Sequence, residues 1–366
     1  IDYVTECSGN GYYLFQKPSD YKDFMGRMKS LTPITDEIIK KMKSGIKNKV
    51  TLYQKVVDEM IEQIQTILKN KSYHQKRVSF KKQWEQCIQM YLVSNLQRLL
   101  EFLITDYYPY CSTKWGLQSY KGGKQYYQRL LEYNILKNCN PQILHLFGKK
   151  EVKRLCKELN KLSIQKPQST YQTKQEIIQD LHTIQKKIKQ INHTYFDKQV
   201  CDYKIESIPK EREQMTAYYE RSTPHKKQGT FYINTNDLSK WTRYELLVLS
   251  LHEGYPGHHY ELEYHVGKKQ PKYMEMWMSN SFSEGWAFYA ENLYPYKKDA
   301  YYYYKLNYDI LRSMRLVIDT GIHHFGWDYE TCFNYMKENS SMEETIIHKE
   351  LIRYVCLPSQ ALSYKV

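Results

Sequence analysis

No stretch of this chain is apolar over the ~18 residues that a membrane-spanning helix needs, so no transmembrane segment is expected. No signal peptide stands at its start, which weakly favours the cytoplasm. The chain opens at Ile1 rather than Met, however, which leaves open that it is a fragment and that a leader has been lost. Cysteine pairs are missing too. Cys7, Cys87, Cys111, Cys139, Cys156, Cys201, Cys332 and Cys356 include no C-x-x-C, which argues against a cysteine zinc site. Eight cysteines in 366 residues are also too sparse for a disulfide scaffold, so buried free thiols in a reducing compartment are expected. No ribonucleoprotein, zinc-knuckle or helix-turn-helix signature accompanies the net charge of +14. The lysines are scattered, in KKMKSGIKNK (40–49), KKIK (186–189) and KK (226–227), and read as solvated faces. Neither a nucleic acid nor a membrane is expected as a partner. Internal repeats and long low-complexity segments are absent as well.

What is present is mostly helical periodicity. Apolar positions recur at helical spacing through 51–69 (Val56, Val57, Met60, Ile61, Ile64, Ile67) and 78–106 (Trp84, Ile88, Tyr91, Leu92, Leu96, Leu99, Leu103). A helix over 35–48 is expected to open at Thr35-Asp36-Glu37. Further helices are read near 124–137 after Gly122-Gly123, near 141–162 after the cap Asn140-Pro141, and over 172–192. IESIP (205–209), AYYE (217–220) and GTFYINT (229–235) look extended. Helices resume at 241–265, 272–293, 299–323, 328–338 and 343–353. The expected fold class is mainly α: a large helical, metallopeptidase-like fold with a small β-sheet beside the active-site helices. A soft boundary near 200 separates a helical N-terminal part (1–200) from the part that carries the candidate chemistry (201–366), the two forming one continuous unit.

That chemistry centres on LHEGYPGHHYELEY (251–264), with three of the twelve histidines in eight residues. Zinc peptidases carry H-E-x-x-H on a helix, where both histidines share one face. Here Glu253 follows His252, but Pro256 stands where the second histidine should be. On a regular helix neither candidate reaches the ion: i+6 points about 240° round, and i+7 lies ~10.5 Å along the axis. Pro256 excludes a regular helix, because it lacks an N–H and clashes with the carbonyl of residue 252. A bulge absorbing two residues would bring His258 to the i+4 place and turn His259 away, towards substrate or the ligands' supports. His258 is therefore favoured over His259. The third ligand should come from SFSEGWAFYAENL (281–293): Glu284 is favoured, and Glu291, two turns on, is the competitor read as an exposed helix residue.

These stretches resemble a large family of zinc peptidases (gluzincin-like) catalogued as domain of unknown function 885, whose hallmark is H-E-x-x-P-G-H-H. The blocks GTFYINTNDLSKWTRYELLVLSLHEGYPGHH, SFSEGWAFYAENL, RLVIDTGIHHFGW and LPSQALSYKV follow in the family's order, so the likeness covers most of the chain. The resemblance implies a largely helical metallopeptidase with a thermolysin-like helix pair. It implies one zinc ion held by His252, His258 and Glu284, with Glu253 as general base. Family chains start earlier and continue past the SYK block, so this one looks incomplete at both ends.

The reaction expected of such a site is peptide-bond hydrolysis, with a peptide as substrate. Zinc lowers the pKa of a bound water to about 7, and Glu253 moves the water proton to the leaving amine. His323, Tyr364 and Tyr232 or Asn234 lie in family blocks as candidate oxyanion donors, though no spacing rule separates that role from packing. Substrate contacts are assigned to Tyr232, Asn234, His259 and Gln360. Arg315 and Asp319, at i and i+4, either pair with each other or leave Asp319 to orient a ligand histidine. Two histidines and a carboxylate also describe non-haem iron sites, but the glutamate beside the first histidine favours a hydrolase. The alternative is a catalytically inactive relative acting as a binding or scaffold protein. A weaker third is a basic nucleic-acid-binding helical protein, with steep salt dependence of binding.

Overall fold

The computed structural model describes residues 17–71, 81–135, 138–164, 166–168, 171–209, 215–223, 226–266 and 279–366, together with positions 3, 4, 7, 15, 73, 268 and 271. It is mainly α-helical with one small sheet. Positions 78–80, 136–137 and 272–278 of the expected helices lie outside the described residues. The chain divides into two compact units, residues 1–115 with 209–212, and residues 116–208 with 213–366. The composition change near 200 lies inside the second unit.

The first unit holds α1 (Pro18–Met28), α2 (Leu31–Asn48), α3 (Gln54–Asn70) and α4 (Lys81–Cys87), which runs through a wider π turn (Ile88–Val93) into α5 (Ser94–Phe102). Tyr21, Phe24, Trp84, Ile88 and Leu92 form one buried cluster, and Val57, Ile64, Phe102, Leu103 and Tyr107 another. The expected start of α2 at Thr35 is corrected. The helix begins at Leu31 and accepts Pro33 in its first turn, where the missing N–H would have had no partner. Thr35 is buried instead of capping.

The second unit contains α6 (Gly123–Asn134), α7 (Pro141–Asn160), α8 (Lys174–Tyr195), α9 (Arg243–Glu253), α10 (His258–Tyr264), α11 (Asn280–Glu291), α12 (Ala300–Thr320), α13 (Tyr329–Asn339) and α14 (Glu344–Cys356). The caps are those the residues call for. Asn140 accepts from the N–H groups of Gln142 and Ile143, Thr242 from that of Glu245, and Asp299 from those of Tyr301 and Tyr302. The central α12 is buried almost continuously from Arg312 to Thr320. It packs on α7 at Gly148, where a Cβ would sit 2.8 Å from that of Leu316, so only glycine lets the two backbones approach. The strands β1 (Lys204–Ser207), β2 (Ala217–Glu220) and β3 (Thr230–Ile233) make one sheet with β3 central, parallel to β1 and antiparallel to β2. Phe231 and Ile233 pack with Ile205 and with Leu246, Leu247 and Leu251 of α9. Leu246 to Glu253 are all buried, which is how a helix apolar on every face must be placed.

All eight cysteines are free thiols. Cys7, Cys87, Cys139 and Cys332 are buried, but Cys201 and Cys356 are exposed. Among the described residues no helix is long and apolar enough to cross a membrane.

Candidate metal centre

His252 and Glu253 are the last two residues of α9, and both are buried. The bulge anticipated inside one long helix is corrected to a full break. α9 stops, residues 254–257 form a turn with a cis Tyr255–Pro256 peptide, and α10 begins at His258. Gly257 folds the new helix back onto the old one. A Cβ there would lie 1.9 Å from the carbonyl oxygen of His252, so no other residue fits. The Pro256 carbonyl accepts from the Trp286 indole at 2.9 Å, which ties the turn to α11 and brings Glu284 over it.

The outcome is a three-sided cluster. Glu284 Oε2 lies 3.4 Å from His252 Nε2 and 3.6 Å from His258 Nε2. The two imidazoles meet edge to face at 4.8 Å, and one ligand-type atom from each of the three residues falls within 4.8 Å of the others. Glu284 Oε2 is buried and accepts no hydrogen bond. A buried acceptor left unsatisfied is costly, so this oxygen fits a cation better than it fits the protein alone. Atoms bound ~2.0–2.1 Å from one tetrahedral ion stand ~3.3 Å apart, close to the spacing here. Two imidazole nitrogens and one carboxylate oxygen suit zinc.

Each histidine is held from behind. His252 Nδ1 lies 2.8 Å from Glu291 Oε1, an acceptor, so the ring proton belongs on Nδ1 and the Nε2 lone pair faces the cluster. Glu291 is clamped in turn by Arg312 at 2.6 and 3.0 Å, with Lys305 at 3.7 Å. Behind His258, Ser283 Oγ lies 3.3 Å from Nδ1 and donates to Glu261 at 3.0 Å. The charges follow these contacts. Burial pushes Glu291 up, but Arg312, His252 and Lys305 together outweigh it and hold the carboxyl at about 2. Burial likewise opposes ionisation of Glu284, yet the two imidazoles hold it well below the usual carboxylate range. With only protons to balance Glu284 and Glu291, His252 rises to about 9 against the pull of its burial. A cation at the cluster would take that proton's place.

The sequence matches the model of a family described as bacterial protein of unknown function (DUF885) over residues 11–366. The chain belongs to this family. No curated protein matches it. Among solved structures, the fold is similar to that of a protein described as a "putative lipoprotein" from Colwellia psychrerythraea, with a TM-score of 0.86, 19% identity, all of this chain covered and 70% of the other. It is also similar to a "putative lipoprotein of unknown function" from Shewanella oneidensis, with a TM-score of 0.66, 12% identity, and coverage of 99% and 72%. At these identities the likeness is one of fold.

The remaining candidates divide. The Glu253 side chain makes no hydrogen bond to the protein among the described residues, and so remains available as a base. Tyr364, at the end of the 3₁₀ turn Gln360–Tyr364, lays its ring nearly parallel to that of His252 at 6.4 Å. Gln360 stands beside it and accepts from Arg353 at 2.9 Å. Of the others, His259 and His323 are corrected. His259 is fully buried among Tyr203, Tyr219 and Tyr255, bonds the Tyr219 hydroxyl at 2.8 Å, and is held neutral by burial at about 3, so it reaches no substrate. His323 spends both ring nitrogens on backbone, accepting from the Leu117 N–H and meeting the Tyr354 carbonyl, which leaves no donor for an oxyanion. Asn234 uses its amide to shape the loop after β3, with Met215 and Asn236. Tyr232 stacks on Tyr218 and meets Lys226. Arg315 pairs with Glu350 rather than Asp319, and Asp319 holds Tyr127 and the Ser359 N–H rather than a ligand histidine. The support for His252 comes from Glu291 and not from Asp319. The i, i+7 spacing of Glu284 and Glu291 was the available signal, since both fall on one helix face.

Proposed function

We propose that this protein is a zinc-dependent hydrolase of peptide bonds, acting on short peptides admitted to a site enclosed by helices. The observation that carries the reading is the buried, unsatisfied Glu284 oxygen facing two imidazole Nε2 atoms, with Glu253 directly after the first of them. His252, His258 and Glu284 would hold the ion, which when bound supplies a Lewis acid for the scissile carbonyl and a water acidified to near-neutral pKa. Glu253 takes the proton from the attacking water and delivers it to the leaving amine nitrogen. Glu291 fixes the His252 tautomer, and Ser283 and Glu261 orient His258. Description of both fold neighbours as lipoproteins favours the cell envelope over the cytoplasm as the place of action.

Elemental analysis and peptide digestion together test this. About one zinc per chain is expected, with cleavage lowered roughly 10²- to 10⁴-fold in Glu253→Gln while the zinc stays. A parent chain that takes up no metal under metal-replete conditions would sink the proposal.

A further inference from the structure

The wall beside Tyr364 carries more positive charge than the protein neutralises. Glu350 on α14 is shared by two guanidiniums, Arg315 at 3.2 Å and Arg353 at 3.2 Å. Tyr354 also donates to Glu350 and adds no charge. Arginine stays protonated in proteins, so the trio keeps one net positive charge. Asp319, which also senses Arg353, is pushed up to about 7 by burial and is committed to Tyr127 and Ser359.

Of the two cations, Arg315 is enclosed and lies under the Tyr364 ring at 4.5 Å. The side chain of Arg353 is 30% exposed, against 9% for Arg315. Nη2 of Arg353 serves Gln360 at 2.9 Å and the Tyr364 oxygen at a long 3.4 Å, and Nη1 serves Glu350. A guanidinium has five N–H groups. Nε–H and one Nη1–H therefore find no acceptor among the described residues, and neither does the Tyr364 hydroxyl proton. Three donors and a surplus charge at one place call for an anion, and a planar carboxylate matches the guanidinium fork. The Arg353 guanidinium carbon is 6.0 Å from the Tyr364 ring, and the His252 ring lies 6.4 Å from that same ring. The anchor thus stands no more than ~12 Å from the His252 ring, the reach of three to four extended residues.

We propose that Arg353, assisted by Tyr364, binds the free C-terminal carboxylate of the substrate, so that the enzyme cleaves peptides within a few residues of their C-terminus. This rests on the peptidase reading. The carboxylate of an acidic side chain offers the same chemistry, and the experiment separates the two sources.

Zinc-loaded Glu253→Gln protein is titrated calorimetrically with a pentapeptide free acid, with its C-terminal amide, and with an amide carrying Glu as its last residue. The free acid is expected to bind roughly 10- to 100-fold more tightly than either amide. Arg353→Gln in the same background should erase the difference at unchanged zinc content, and Arg353→Lys should restore part of it. Equal binding of acid and plain amide overturns the proposal, and needs no folded variant. Tight binding of the Glu-ended amide overturns the C-terminal assignment in favour of a side-chain anchor. In the parent chain, mass spectrometry of the products should place every cut within about four residues of the C-terminus; cuts further inside overturn the proposal. If the free acid is preferred but the zinc-loaded parent cleaves nothing, the anchor stands and the peptidase reading fails.

Discussion

Glu284 and Glu291 lie two turns apart on α11 and approach opposite nitrogens of the same imidazole, yet the protein treats them differently. Glu291 is completely buried and surrounded by donors: His252 Nδ1, Arg312 and, further off, Lys305. Glu284 has an oxygen with no hydrogen bond at all and two Nε2 atoms at distances too long for one. A third, half-buried carboxyl extends the comparison. Glu245 on α9 has a phenol, Tyr308, as its donor at 3.0 Å, and burial pushes it up to about 7, whereas Arg312 with His252 and Lys305 holds Glu291 at about 2. Partner charge, rather than depth, decides the state of each carboxyl. Glu291 has the environment of a structural ion pair. Glu284 has that of a ligand.

The sharpest way to break this comparison is to neutralise each carboxylate in turn. Glu284→Gln and His258→Ala should each abolish stoichiometric zinc and with it all cleavage, measured by elemental analysis and peptide digestion, while leaving the metal-free fold intact. Glu291→Gln should do something different. It leaves the Arg312 guanidinium buried without its partner, which costs about 3–5 kcal/mol in denaturant unfolding. It also weakens zinc binding roughly 10- to 100-fold through the loosened His252. If Glu291→Gln unfolds no more easily than Glu284→Gln, the two carboxylates do not divide the structural and metal-binding roles in this way. His259→Ala should keep its zinc, because that ring sits in an aromatic pocket away from the cluster, and should lose roughly 2–4 kcal/mol of stability from the cavity.

The smallest effect concerns Glu245. Its pKa in the folded protein is raised above the unfolded value, so its contribution to stability is fully present below about pH 4 and fades as the pH climbs through about 7. Melting temperatures followed from pH 4 to 8 should decline less steeply in Glu245→Gln than in the parent. An unchanged slope would show that the Tyr308 contact leaves Glu245 ionised.

Much of the centre was legible one residue at a time. His252 and Glu253 stood out as adjacent chemistry-bearing residues. Pro256-Gly257 announced a departure from the helix, and counting the residues to be absorbed favoured His258. The same count misjudged how the departure is made, because a bulge and a complete break differ only in where the backbone goes next. That is set by the contact of Gly257 with the His252 carbonyl and by the Trp286 indole from another helix. His323 shows the opposite error. A histidine in a block that resembles a family pattern looked catalytic, but its neighbours Leu117 and Tyr354 are far away in sequence, and they occupy both nitrogens.

The sequence by itself determined the helical class, the short strands, the cap at Asn140, and which residues had the chemistry to hold a metal. All of these depend on local backbone preference and residue type, which act over a few positions. Only the tertiary structure decided that Glu291 supports His252, that Ser283 and Glu261 support His258, that Arg312 and Lys305 charge the space behind, and that Arg353 keeps free donors beside Tyr364. These are pairings between side chains about ten to forty residues apart. No local propensity encodes them, because the strength of each depends on how much water the packed helices have removed from around it.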